Sequence, residues 1–166
     1  MADRSNHYER AFEGYLRVLR IASIGVDESR RAFGDNETIK NLDFIVTHPS
    51  GQVLLVDVKG RRMSCRRRTR QNWATRDDVQ SLRFWERRLG PRAEALLVFV
   101  YQLEAESMGE QFEDQFFFED RHYGCLAVSA SGYEEKMRVR SPRWGTVSLR
   151  KADFDSLARP ISSWLR

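Results

Sequence analysis

Cysteine is scarce in this sequence, and Cys65 and Cys125 are its only two. They lie in no metal-ligand spacing, which excludes a cysteine-rich metal site, and we expect two reduced thiols rather than a disulfide. Long apolar runs are also missing: no stretch reaches the length of a membrane span. The N-terminus, from Met1 to Arg4 and onward, lacks the apolar run of a signal peptide. These absences predict a cytoplasmic protein with no membrane partner.

Internal repeats and Pro/Ser-rich linkers are absent as well, so nothing in the sequence divides it. Its 166 residues match the size of one domain with a buried core. With 41% hydrophobic and 31% charged residues, the composition is ordinary for a folded globular chain. We therefore expect a single domain over residues 1–166 and one functional site.

Positive charge is present in mild excess but is concentrated in one segment. The formal net charge is +4 and the isoelectric point is near 9.3. Between Gly60 and Trp73 stand six arginines: Arg61, Arg62, Arg66, Arg67, Arg68 and Arg70. Such a cluster could contact the phosphates of a nucleic acid, with Trp73 stacking on a base. The alternative is a solvated charged loop.

Residue periodicity and turn signals predict an alternation of helices and strands. The expected helices cover residues 6–20, 76–89 and 152–164, with Asn6 and Thr75 as caps. The expected strands cover 21–26, 42–47, 53–59, 95–101, 116–118 and 125–128, and Gly34–Asn36 reads as a turn. This order predicts an α/β fold with a mixed central β-sheet flanked by helices.

The strand over residues 53–59 carries two charged residues in an apolar setting. It is apolar on both faces, as in the centre of a sheet, apart from Asp57 and Lys59. Alternate residues share a face, so these two side chains lie about 7 Å apart on one side. If residues 48–52 form the hairpin turn, Asp43 faces Asp57 across the strand pair, with facing carbons about 4.5–5.5 Å apart.

Two buried carboxylates at this separation repel each other unless a cation lies between them. Oxygen ligands favour Mg²⁺ or Mn²⁺, which can activate a water toward a phosphodiester. Lys59 would then position that water or stabilise the transition state. Glu13 or Glu9, on neighbouring turns of the first helix, could supply a third acid. The alternative is a surface ion pair between Asp57 and Lys59 on an edge strand.

At these residues the chain resembles the PD-(D/E)XK nuclease superfamily, and within it the small resolvase-like members. The resemblance covers about residues 6–103, which leaves 104–166 as a C-terminal extension. It implies a restriction-endonuclease-like domain with Asp43, Asp57 and Glu13 as metal ligands. It also implies Lys59 as catalytic lysine and Gln80 as the polar residue of the following helix, although Gln80 could equally be a helix-surface residue.

The segment from His7 to Glu13 is also similar to a small uncharacterised group named for a His-Tyr-Ala-x-Phe-Glu motif, with different spacing. The leading functional expectation is a Mg²⁺- or Mn²⁺-dependent endonuclease acting on DNA in repair, recombination or restriction. The resemblance leaves a homodimer open. Two alternatives remain: an inactive nucleic-acid-binding or assembly module on the same fold, and an interaction protein that pairs its basic loop with the acidic 104–119 segment.

Overall fold

The structure is a computed structural model that describes residues 6–27, 29, 31–33 and 38–166. Helices within this part of the chain are α1 (His7–Val18), α2 (Arg76–Leu89), α3 (Ala130–Lys136) and α4 (Lys151–Leu157), with 3-10 helices at Glu106–Gln111 and Ile161–Trp164. The turn predicted at Gly34–Asn36 lies outside the described residues. In the portion of the chain described, no helix is both long enough and apolar enough to cross a membrane.

Strands account for most of the remaining regular structure. In chain order they are β1 (Ser23–Gly25), β2 (Ala32–Phe33), β3 (Thr38–Ile39), β4 (Phe44–Thr47), β5 (Val53–Met63), β6 (Ala74–Thr75), β7 (Ala93–Leu103), β8 (Asp114–Phe118), β9 (Arg121–Ser129), β10 (Arg138–Ser141) and β11 (Thr146–Ser148). The predicted hairpin is confirmed, since β4 and β5 pair antiparallel. However, β5 runs four residues beyond the predicted end, to Met63.

A six-stranded mixed sheet forms the centre of the fold, in the order β1-β4-β5-β7-β9-β8. Only the β5–β7 pair is parallel among these, and α2 makes the crossover between the two strands. The predicted α/β class is therefore confirmed. Residues 104–166, expected as a C-terminal extension, contribute β8 and β9 to this same sheet.

Helices cover both faces of the sheet because β5 is apolar on both. Leu54, Val56 and Val58 pack with Phe12 and Leu16 of α1. On the other face, Leu55 and Met63 pack with Val79 and Leu82 of α2, among other residues. Alternation along a strand then places Asp57 and Lys59 on the α2 face, in line with Leu55.

The expected C-terminal helix over 152–164 is wrong in its extent. Helix α4 ends at Leu157, and residues 161–164 form a separate 3-10 turn. Pro160 has no backbone N–H to continue the helical bonding. Between the two pieces the chain pairs with β9, because the N–H groups of Ala127 and Arg159 each donate to the other's carbonyl, at 2.7 and 2.9 Å.

A small second sheet joins the C-terminal part of the chain to the start of α2. Its strand order is β10-β11-β6, and all its pairs are antiparallel. The hairpin of β10 and β11 is fixed to α2 by a bond from the Arg76 N–H to the Gly145 carbonyl, 2.8 Å long. This sheet therefore brings the basic residues 138–144 alongside the N-terminal end of α2.

Candidate active site

The charged residues predicted on β5 lie inside the protein, not on an edge. Asp57 is only 3% exposed, and the Lys59 side chain is 13% exposed. The Lys59 ammonium is 2.6 Å from Asp57 Oδ2. Because β5 is a central strand between β4 and β7, the alternative of an ion pair on an edge strand is wrong.

A second carboxylate, from Asp78 on α2, completes the pairing of Lys59. Asp78 Oδ2 lies 3.0 Å from the Lys59 ammonium and also accepts the Thr75 N–H at 2.9 Å. The Thr75 hydroxyl in turn accepts the Asp78 N–H at 3.0 Å, so the two residues form a reciprocal capping box. The same side chain therefore begins α2 and fixes that helix to the centre of β5.

Lys40 adds a second ammonium to these carboxylates. Its Nζ lies 2.5 Å from Asp78 Oδ1 and 3.9 Å from Asp57 Oδ1. The main chain of Lys40 is also held in place, because its carbonyl accepts the indole N–H of Trp85 at 3.1 Å. Together, Lys40, Asp57, Lys59 and Asp78 form a connected ion-pair cluster between β5 and α2.

Asp43 stands directly before β4, and its side chain bonds to the main chain of β5. The β4–β5 pairing begins at Phe44 opposite Val56, and Asp43 precedes it in a bend. This register is the one expected for a hairpin about Ser50, and the facing position of Asp43 and Asp57, one step beyond the last pair, stays a prediction. The Asp43 Oδ2 accepts the Val58 N–H at 2.6 Å, so the carboxylate lies against the main chain between Asp57 and Lys59.

Burial and charge act in opposite directions on these groups. Burial raises the pKa of Asp57 above its ordinary value, despite the opposing effect of Lys59. Burial would lower the pKa of Lys59, but Asp57 and Asp78 outweigh it and raise that pKa. For Asp78, burial is outweighed by Lys59 and Lys40, and the pKa lies well below its usual range. Of the two acids, the cluster therefore stabilises the negative charge of Asp57 less than that of Asp78.

The oxygen atoms of the site meet part of what a divalent ion requires. Asp43 and Asp57 supply hard oxygen ligands, and both are almost fully buried. In the part of the chain that is described, no group of three or more acidic, His or Cys side chains is arranged to hold a metal. Mg²⁺ is commonly held by one or two carboxylates, with waters and substrate phosphates as its other ligands. Two acids therefore fit that mode of binding.

Glu13, expected as the third acid, is not brought to this cluster. Helix α1 packs on the face of the sheet that carries Val56 and Val58, opposite to Lys59. The Glu13 carboxylate bonds to Arg17 at 3.1 Å, one turn along the helix. The buried acid of α1 is Glu9, whose Oε1 accepts from Asn6 Nδ2 at 2.6 Å.

Gln80, expected as the polar residue of α2, is also outside the cluster. Its side chain is exposed, while its neighbours Asp78, Val79 and Ser81 are buried. Buried residues recur along α2 with the period of a helical turn, and Gln80 falls on the opposite, exposed face of the helix. Asp78 is thus the α2 residue that the structure brings to Lys59.

Arg61 and Trp73, both expected to bind nucleic acid, contact each other. Arg61 lies on β5 two residues after Lys59, and its guanidinium carbon is 3.8 Å from the centre of the Trp73 ring. It donates to the Gly60 carbonyl at 2.7 Å and to the Trp73 carbonyl. This guanidinium therefore binds the main chain and holds the following loop against β5.

The other arginines of the segment divide by exposure. Arg66, Arg67 and Arg68 are exposed in the loop after β5. Arg62 is exposed as well but lies 3.4 Å from Glu104, and the half-buried Arg70 donates to the Gln111 carbonyl at 3.2 Å. Arg66, Arg67 and Arg68 are therefore the arginines of this segment that are best placed to meet a polyanion.

Among solved structures, the chain is similar to the Holliday junction resolvase Hjc of Archaeoglobus fulgidus, an archaeal hyperthermophile. The TM-score is 0.57 at 14% sequence identity, and the alignment covers 96% of this chain and 98% of that chain. No family model matches the sequence, and neither does any curated protein. This likeness establishes the fold alone: the chain has the restriction-endonuclease-like fold of a resolvase, as the sequence predicted.

Proposed function

We propose that this protein is a metal-dependent nuclease that hydrolyses phosphodiester bonds in DNA. The observation that carries the proposal is the buried pair of Asp57 and Lys59 on the central strand of a resolvase-like sheet. The neighbouring carboxylate of Asp43, bonded to the main chain between them, supports a shared ligand. Burying acids costs free energy, so a fold that keeps them in its interior needs a compensating cation or function.

In this proposal Asp43 and Asp57 hold Mg²⁺ or Mn²⁺. When bound, the ion neutralises phosphoryl charge and lowers the pKa of a water. The Lys59 ammonium is held by Asp57 and Asp78, so it stays protonated and can donate to a phosphoryl oxygen as negative charge develops there. Asp78 is a positioning residue, because it acts through Lys59 and through the cap of α2.

DNA as the substrate is supported by charge and by fold. The similar solved structure is a Holliday junction resolvase. This chain carries a net charge of +4, and three consecutive exposed arginines, Arg66 to Arg68, follow the strand that bears Lys59. Contacts between such residues and phosphates supply affinity that is independent of sequence. A role in repair, recombination or restriction, a homodimer and a cytoplasmic location remain predictions.

The proposal is tested by incubating the protein with linear, branched and single-stranded DNA and RNA in Mg²⁺, Mn²⁺ or EDTA. We expect cleavage of at least one DNA substrate that requires the metal. Asp57→Asn and Lys59→Ala should each lower the rate by about 100-fold or more, as when a group that stabilises transition-state charge is removed. Asp77→Asn is the matched control. Asp77 is exposed on the same helix turn as Asp78, and its ion pair with Arg31 lies on the surface.

A non-catalytic DNA-binding module is the second candidate, and Lys40 is the observation that favours it. Lys40 and Lys59 together already neutralise Asp57 and Asp78 without a metal. If the protein binds DNA with similar affinity in Mg²⁺ and EDTA, and cuts none of the substrates, this candidate replaces the nuclease. Calorimetric titration with Mn²⁺ gives an independent result, since the module should bind no ion at Asp57.

A further inference from the structure

A cavity of about 620 Å³ lies on the same side of the sheet as the candidate active site, because Leu149 and Phe154 of its lining belong to the core cluster of that side. Its wall is formed by the loop 68–73, by residues of β10 and β11 and by the start of α4. Trp73 connects the two sites: it lines the cavity, and its ring stacks against Arg61, which follows Lys59 by two residues on one face of β5. Residues on one strand face at this spacing are about 7 Å apart.

The cavity is predominantly positive. Arg68, Arg70, Arg140 and Lys151 line it, against one acid, Asp155. Asp155 lies 2.6 Å from the Lys151 ammonium and 3.8 Å from Arg70, so it partly neutralises these two. Arg140 is exposed on β10 and its guanidinium carbon is 5.2 Å from the centre of the Trp73 ring. An anionic ligand is therefore favoured over a neutral or cationic one.

The other lining residues suit a base as well as a phosphate. Trp73 contributes a partly exposed aromatic ring, and Gln71 and Gln111 carry amide groups of the kind that pair with base edges. Asn72 is already used, because its amide bonds to both backbone groups of Leu149 at 3.3 and 2.9 Å. Aromatic rings beside cations are the usual elements of single-strand binding.

The size of the cavity limits what can enter. Pockets that hold a small molecule measure about 300–1,000 Å³, and the volume of this cavity lies within that range. A base stacked and paired inside a duplex cannot reach such a pocket without leaving the stack. An unpaired base at an end, flap or junction enters without that cost.

We propose that this cavity binds one unpaired nucleotide of a DNA strand and so makes DNA with an unpaired base the preferred ligand. This inference rests on the proposed nuclease function, because Trp73 links the cavity to Arg61, which lies on the same strand as Lys59. It specifies the substrate class: a strand with at least one base free of its partner. Blunt duplex is held only through phosphate contacts along the basic loop.

The test is a binding experiment in EDTA, which needs no cleavage. Fluorescence anisotropy compares a labelled oligothymidylate of about 12 nucleotides with a blunt duplex of the same length. We expect the wild-type protein to prefer the single strand by about fivefold or more, the lower range for stacking of one base. The double variant Arg140→Ala/Lys151→Ala should bind both ligands equally.

The control is Arg87→Ala/Lys136→Ala, which removes the same charge from exposed positions outside the cavity. It should keep the single-strand preference. The inference is overturned if the wild-type protein shows no preference, or if the Arg140 and Lys151 double variant keeps it. Cleavage is assayed separately: a preference without cleavage refutes the nuclease but keeps the cavity assignment, whereas cleavage without a preference refutes the cavity assignment alone.

Discussion

Replacing Asp78 by asparagine tests how far one side chain holds α2 to the central sheet. Asparagine keeps the shape and can still accept the Thr75 N–H, so the variant removes charge and little else. Lys40 then loses its 2.5 Å partner and Lys59 its 3.0 Å partner, while Asp57 stays beside Lys59. Breaking a buried ion pair costs about 3–5 kcal/mol, and because Asp57 remains beside Lys59 we expect a loss of about 3 kcal/mol.

The assay is urea denaturation in EDTA, followed by tryptophan fluorescence, for Asp78→Asn, Asp78→Ala and Asp77→Asn. Alanine also removes the cap, which adds about 1 kcal/mol to the loss. Asp77 makes an exposed ion pair with Arg31, so its variant should change the free energy of unfolding by no more than about 1 kcal/mol. The reasoning is refuted if Asp78→Asn unfolds at the same urea concentration as Asp77→Asn.

Two further predictions concern Gly60 and the exposed arginines. A side chain at Gly60 would collide with the Tyr8 ring, so Gly60→Ala should cost about 1–3 kcal/mol by thermal denaturation. Gly132→Ala on α3 should change stability by less than about 1 kcal/mol. Replacing Arg66, Arg67 and Arg68 by alanine should reduce the salt dependence of duplex binding. The slope of the logarithm of the binding constant against the logarithm of the salt concentration should become shallower by about 0.9 for each phosphate that the loop no longer neutralises. An unchanged slope would exclude this loop from the interface, and the equal-charge control replaces Arg20, Arg87 and Arg92.

The central strand and its charged pair could be predicted from the sequence for a simple physical reason. An apolar run with both faces covered must lie inside a sheet, and the two-residue period then fixes that Asp57 and Lys59 share a side. The end of that strand could not be predicted, because Gly60 and the arginines after it carry no apolar pattern. Arg61 was therefore predicted to belong to the loop, although it lies on β5 against Trp73.

Long-range partners were the part of the site that local patterns could not supply. Asp78 had a sufficient local explanation as part of an N-terminal cap, and its contacts with Lys40 and Lys59 span 38 and 19 positions in the sequence. For Glu13, helical spacing gives the buried face of α1 but not the side of the sheet on which α1 packs. Lys40 follows a polar segment with no periodicity, so no local signal marked it.

The most direct measurement of the proposed chemistry is the single-turnover cleavage rate of a labelled branched DNA in Mg²⁺, for the wild-type protein and for Asp57→Asn. We predict cleavage that EDTA abolishes, and a rate for the variant that is lower by about 100-fold or more while its unfolding transition remains cooperative. A folded Asp57→Asn protein that cuts at the wild-type rate would contradict the assignment of Asp57 to the active site.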